Sequence, residues 1–240
     1  MADDEAPNEA RKMELMRFLV NQLQRHRRLP KPPPFPAPET ADAQGCVALG
    51  PRLTPDMILE AYRAGIFPMA EPDGSYGWWC PDPRTVIELD ALHVPRRLAQ
   101  TLRQGGYEVR TDTACAEVIG ACADRATTWI SDEIAEVYLR LHAEGFVHSI
   151  ETWRGGRLVG GLYGVAVGGA FMAESMFHRE RDMGKAALVA LAERLRDRGF
   201  LLLDIQYETK ATSVFRPMQI PRVEYLRRLR AALEVSPRFS

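Results

Sequence analysis

Apolar residues recur along most of the chain at one of two spacings, and the switches between them outline its elements. In "LTPDMILEAYRAGIFP" the spacing is helical. Thr54 is placed to cap it, Pro55 fits its first turn, and Gly65 stops it. In "TWISDEIAEVYLRLHAEG" an apolar face of Ile134, Val137, Tyr138 and Leu141 predicts another helix. Ser131 caps it, Asp132 and Glu133 favour its positive end, and Gly145 ends it. "VHSIETWRGGRLVGGLYGVAVGGAFMAESMF" predicts three antiparallel strands over 147–153, 157–165 and 169–175. Its turns fall at Arg154-Gly155-Gly156-Arg157 and Val167-Gly168-Gly169. A helix over about 184–198 follows, and "FLLLDIQ" reads as a buried strand, apolar until Asp204. Residues 170–206 thus form a strand–helix–strand unit, which predicts parallel strands with a right-handed crossover. "GWWCPDPRTVIEL" contributes two tryptophans, a Pro-restricted turn and a strand ending near Leu89.

Ahead of this body, Met16, Leu19, Val20 and Leu23 have helical spacing and lead into Arg25, Arg27, Arg28 and Lys31. "PKPPPFPAPE" then reads as a stiff linker. This basic arm is either a solvated element docking on the body or one directed at tRNA or the ribosome. The pattern divides the chain into an arm over 1–44, a small unit over 45–83 and a main domain over 84–240. The class is α+β, with a mixed, mostly antiparallel bent sheet flanked by helices.

Charge and cysteine content narrow the functional classes. The 240 residues carry 31 basic and 32 acidic side chains, so any nucleic-acid contact depends on a local patch. Cys46, Cys80, Cys115 and Cys122 show no CxxC spacing and no signal peptide precedes them. They read as reduced thiols of a cytoplasmic protein. No apolar run reaches the roughly 18 residues of a membrane span.

The candidate chemistry lies where polar groups interrupt apolar strands. Asp204 and Gln206 are two residues apart, which in a regular strand puts them on one face, at the end of a sheet where ligands bind. Glu174 ends the preceding strand of the same unit. The three are expected to converge on one acidic cleft. No Ser–His–Asp or Cys–His arrangement accompanies them, and no metal-ligand cluster; His142 and His148 read as helix-surface and strand residues. A cleft without a nucleophile suits two substrates that bring their own reactivity, such as an amine attacking an activated ester. An α-amine of pKa about 8 needs little help to deprotonate, so orientation and charge stabilisation carry the rate.

The runs "AYRAGIFP", "WWCPDPR", "TWI", "LHAEGFVHSIETW", "LVGGLYGV", "ESMF", "GKAAL", "LLDIQ" and "IPRVEYL", in this order, resemble the leucyl/phenylalanyl-tRNA–protein transferase family. The resemblance implies an N-acetyltransferase-like (GNAT-type) sheet and transfer of Leu or Phe, with Met as a further candidate donor, from aminoacyl-tRNA to proteins with N-terminal Lys or Arg. That reaction marks proteins for degradation by the N-degron pathway, with no cofactor and no metal, in a monomer. It implies that Asp204 and Gln206 orient and deprotonate the attacking amine. Gln206, a neutral amide, fits better as an acceptor polarised by Asp204. Glu174 and Ser175 of "ESMF" are expected at the aminoacyl-adenosine, Phe171 and Met176 in the apolar slot for Leu or Phe. Trp129 is expected to stack on the terminal adenine, although it also fits a hydrophobic staple before the Ser131 helix. Arg96, Arg97 and Arg103, on a helix after "LHVP", are candidates for tRNA phosphates; a solvated face explains them equally well. Trp78, Trp79 and Arg84 are expected to fasten the small unit to the body. Asp204→Ala is expected to abolish transfer and spare the fold.

Three departures from the family pattern stand out: Met69 in place of Trp, Gly184 in place of Ser, and the run "YETKATSVFRPMQIPR" after "LLDIQ", with Ala211, Val214, Arg216 and Pro217. Gly184 also completes an R-x-x-G-x-A pattern over Arg181–Ala186, the pyrophosphate loop of acetyl-coenzyme A enzymes. The alternatives are therefore an acyl-CoA N-acyltransferase and a catalytically silent binder of tRNA or protein N-termini.

Overall fold

Short, strongly apolar stretches separated by glycine and proline become two sheets. The computed structural model describes residues 35–50 and 52–240; the expected helix over Met16–Leu23 and its basic end lie outside these. β1 (Cys46–Gly50), β2 (Phe67–Ala70) and β3 (Tyr76–Trp79) form a small antiparallel sheet in the order β1-β3-β2. β4 (Arg84–Ile87), β5 (Glu108–Thr111), β6 (Val147–Arg154), β7 (Arg157–Val167), β8 (Ala170–His178), β9 (Leu202–Gln206) and β10 (Met218–Ile220) form the second, in the order β10-β4-β9-β8-β7-β6-β5. Only β8 and β9 run parallel in it, as their helical crossover demands.

The described residues contain six α-helices: α1 (Pro55–Arg63), α2 (Arg96–Gln104), α3 (Cys115–Ala123), α4 (Asp132–Ala143), α5 (Met183–Asp197) and α6 (Arg222–Leu233). The expected caps are in place. Thr54 accepts from Met57 N, and Ser131 from Ile134 N. Successive residues of the central strands feed two apolar layers, as strand alternation requires. Ala170, Met172 and Leu202 pack with Tyr62, Tyr138 and Tyr225 of α1, α4 and α6. Phe171, Leu203 and Ile205 pack with Leu188, Leu191 and Leu195 of α5.

Residues 35–240 form one compact unit. The boundary expected at 83/84 therefore falls between two sheets that share a core, and residues 35–44 join that unit instead of extending as linker. Phe35 packs on Trp78 with ring centroids 4.7 Å apart. Gly184 has a packing reason. A Cβ there would stand 2.6 Å from Phe177 O, and one on Gly160 would stand 2.7 Å from Gly184 N. The two glycines let the start of α5 lie directly on β7 and β8, which buries the Gly184 amide. That amide is not offered to a pyrophosphate, so the R-x-x-G-x-A pattern here serves packing.

Candidate active site

β8 and β9 are paired over three rungs, Ala170–Leu202, Phe171–Leu203 and Met172–Asp204. Both strands continue beyond the last rung without pairing to each other, and each carries an extra residue there. On β8, Ser175 faces Tyr163 and Ala173 faces Gly164, which leaves Glu174 as a bulge. On β9, Gln206 faces Thr85 and Asp204 faces Val86, which leaves Ile205 as a bulge. Bulges re-aim side chains. Here they open a cavity of about 350 Å³ at the parting strands, lined by Glu174, Met176, Ile205 and Gln206, with Leu162 and Leu188 among its apolar walls. Trp129 lines it from the loop before α4, and Tyr207, Thr209 and Lys210 from the loop after β9.

Asp204 does not line this cavity. It is fully buried beneath the last rung. Arg84 grips it with two nitrogens, Nε to Oδ1 at 2.9 Å and Nη2 to Oδ2 at 2.6 Å. Tyr225 donates to Oδ2 at 2.9 Å, and the Gln206 backbone N–H donates to Oδ1 at 2.9 Å. Arg84 also lies over the rings of Phe67 and Tyr225. Burial is the largest influence and works against its charge, but Asp204 together with Tyr225 and Cys80 outweighs it and holds the guanidinium well above its usual range. The expectation that Asp204 and Gln206 share a face fails for a local reason. The Ile205 bulge breaks the alternation, and Gln206 has φ 54, the left-handed region uncommon for residues other than glycine.

Glu174 has neutral hydroxyl and amide neighbours. Tyr138 donates to its Oε2 at 3.4 Å, Tyr62 and Tyr138 share a 2.6 Å hydrogen bond, and Gln206 Nε2 donates to its Oε1 at 3.1 Å. The residue is half-buried overall, with its carboxyl enclosed by these groups. Burial raises its pKa to about 8; a Tyr62 hydrogen bond opposes the rise and the nearby Asp204 charge adds to it. Burial and Glu174 also hold both tyrosines well above their ordinary values. With Asp204 neutralised by Arg84 and Glu174 largely protonated at neutral pH, the floor is close to neutral. The acidic cleft expected from three polar residues is not there.

Met176, Ser175 and Trp129 line the cavity. Phe171 does not. It sits where β8 and β9 are still paired, fully buried and stacked on Phe239 at 5.2 Å. Arg96, Arg97 and Arg103 are exposed on α2, away from the cavity lining, and Arg97 borders a separate shallow pocket with Arg154 and Asp182. Met69 lies on β2 outside the lining, beside Trp129, whose carbonyl accepts from Ala70 N. Among the described residues no group of three or more His, Cys, Asp or Glu is placed to hold a metal. No helix there is long and apolar enough to cross a membrane. The sequence reading missed Tyr62, Tyr138 and Tyr225 and gave Arg84 a fastening role. A signal existed for Arg84, because an acid inside an apolar strand demands a buried cation.

A family model for leucyl/phenylalanyl-tRNA protein transferase matches residues 86–230, and one for that protein's N-terminal domain matches residues 52–82. The leucyl/phenylalanyl-tRNA–protein transferase of Rubrobacter xylanophilus is 53% identical over 190 residues, 79% of this chain and 100% of that protein. The protein of the same name from Gloeobacter violaceus is 50% identical over 188 residues, 78% of this chain and 97% of its own length. Among solved structures, a conserved protein of unknown function from Bacteroides thetaiotaomicron aligns at 13% identity and TM-score 0.45, over 58% of this chain and 57% of that one. The chain belongs to the leucyl/phenylalanyl-tRNA protein transferase family of aminoacyltransferases.

Proposed function

We propose that the cavity at the parting strands binds the aminoacyl end of Leu-tRNA or Phe-tRNA and passes the amino acid to the α-amine of a protein whose first residue is Lys or Arg. The tRNA donor supports a cytoplasmic setting for this reaction. Leu162, Met176, Leu188 and Ile205 form the slot for the side chain, and Trp129 offers a flat surface to the adenine. Gln206 is the catalytic residue. Its Nε2 is committed to Glu174 and its backbone N–H to Asp204, so its Oε1 is left to accept from the attacking amine. The amine nitrogen attacks the ester carbonyl carbon and gives up a proton, which water or the neighbouring ribose hydroxyl relays to the ribose oxygen as its bond to that carbon breaks, leaving a peptide bond and a free tRNA hydroxyl. Asp204 acts through Gln206, as a positioning residue, because it is sealed from the cavity.

The observation that supports this reading most is the double suspension of Gln206, an amide held at both ends with one acceptor free. Gln206→Ala is expected to lower transfer from Leu-tRNA or Phe-tRNA to an Arg-starting peptide by roughly 10²-fold while the thermal midpoint stays near that of the parent. Transfer within a few-fold of the parent would remove Gln206 from the chemistry. Parallel assays with Met-tRNA, and with peptides starting in residues other than Lys or Arg, set the donor and acceptor range.

A further inference from the structure

Two cations line the cavity, one from each loop that frames it: Arg125 from the segment before α4 and Lys210 from the segment after β9. Neither has a carboxylate within ion-pair distance among the described residues. Arg125 is exposed but tethered to β8. Its Nη2 donates to Met176 O at 2.5 Å and to Ser175 Oγ at 3.3 Å, which ties the guanidinium to β8 beside Glu174. Nε and Nη1 have no hydrogen-bond partner among the described residues and remain available as donors. The cavity floor offers no compensating charge, since Arg84 neutralises Asp204 and Glu174 favours its protonated form. The rim therefore attracts anions and repels the cationic side chain of a Lys- or Arg-starting acceptor.

We propose that Arg125 and Lys210 form a subsite for the phosphodiester that precedes the terminal adenosine of the donor tRNA. This rests on the function proposed above. In a 3′-aminoacylated adenosine the amino acid and the 5′-phosphate leave opposite sides of the ribose. With the amino acid in the apolar slot and the base at Trp129, the phosphate is left outside the slot, toward the exposed part of the lining to which Arg125 and Lys210 belong. A planar guanidinium with two donors in reserve suits a phosphodiester, and the acceptor's basic side chain then approaches from a side away from these loops.

The test compares two donors: Phe-tRNA, which carries the phosphodiester, and 3′-phenylalanyl-adenosine, which lacks any 5′-phosphate. The readout is the ratio of kcat/KM between them. In Arg125→Ala/Lys210→Ala the preference for Phe-tRNA is expected to fall about tenfold to hundredfold, with a shallower salt dependence for Phe-tRNA alone. Lys210→Ala, a change on an exposed side chain, gives part of the same loss, and Arg125→Lys keeps part of the preference. A ratio that stays at the parent value in the double variant overturns the subsite, whatever the absolute rates. A parent protein inert with both donors overturns the proposed function and the subsite with it.

Discussion

Asp204 and Glu174 are carboxylates on neighbouring strands, both bound to Gln206, in opposite settings. Asp204 is sealed from solvent and holds a bidentate guanidinium, a tyrosine hydroxyl and a backbone N–H. Glu174 reaches the cavity, and its hydrogen-bond partners among the described residues are tyrosine hydroxyls and an amide. The first is an ion pair whose geometry fixes the end of β9. The second is an acid near its titration point at neutral pH. Identical chemistry gives an anchor on one side and an adjustable group on the other, and the difference is one arginine. Gln206 hangs between them, its backbone on the anchor and its side chain on the adjustable group.

The anchor side is where substitution costs most. Removing either half of a buried pair strands the other charge in the core, at about 3–5 kcal/mol. Asp204→Ala leaves Arg84 without its carboxylate, so it is expected to lower the urea midpoint sharply as well as to abolish transfer. This revises the expectation that the fold is spared. Replacing both members by apolar residues of similar volume, Arg84→Met with Asp204→Leu, is expected to recover most of the stability. It does not restore transfer, because the Gln206 N–H has lost its acceptor. An Asp204→Ala protein as stable as the parent would show that the pair is no anchor.

The adjustable side is sharpened by pH. The folded protein holds the Glu174 proton up to about pH 8, whereas the unfolded chain releases it near the ordinary value of 4.5. Between these values the folded state binds more protons than the unfolded one, so this group's contribution falls as pH rises. It is fully present below 4.5 and lost through about 8. Glu174→Gln removes it. Its stability relative to the parent is expected to rise between pH 5 and pH 8 and to level off above, measured by urea midpoints at each pH. Parallel curves for the two proteins would place Glu174 in an ordinary solvated setting.

How far the sequence could be read follows from the same two residues. The helices were legible because their stop and start signals are chemical: Thr54 and Ser131 accept the N–H bonds that their positions imply. The meander and the parallel pair were legible from apolar runs and glycine turns. The site was legible as a set of residues but not as an arrangement. Alternation has no symbol for the extra residue of a bulge, so Glu174 read as a strand end although β8 continues to His178. Asp204 read as cleft-facing for the same reason. Phe171 read as a slot residue because its apolar character fits a slot and a core alike; only the rung at which β8 and β9 part distinguishes them. The short strands β1, β2, β3 and β5 left too few residues for a period to show, whereas α3 carries a helical period at Cys115, Val118, Ile119 and Cys122 that went unread. Tyr62 and Tyr138 were hidden by good citizenship, occupying core positions of helix faces while their hydroxyls meet each other and Glu174.

That tyrosine pair gives the smallest effect and the finest test. Tyr62 sits on α1 and Tyr138 on α4, so their 2.6 Å hydrogen bond joins the unit carrying the small sheet to the helix behind the site. Tyr62→Phe keeps the ring and its packing and removes one hydroxyl, at a cost of about 1 kcal/mol. Because the Tyr62 hydrogen bond pulls the Glu174 pKa down, losing it moves that pKa further up. The pH at which Glu174 stops contributing to stability should therefore shift upward in Tyr62→Phe, while Tyr225→Phe, on the Asp204 side, should leave that pH where it is. If both variants moved it equally, the two carboxylates would be coupled through Gln206 strongly enough that anchor and adjustable group are one unit.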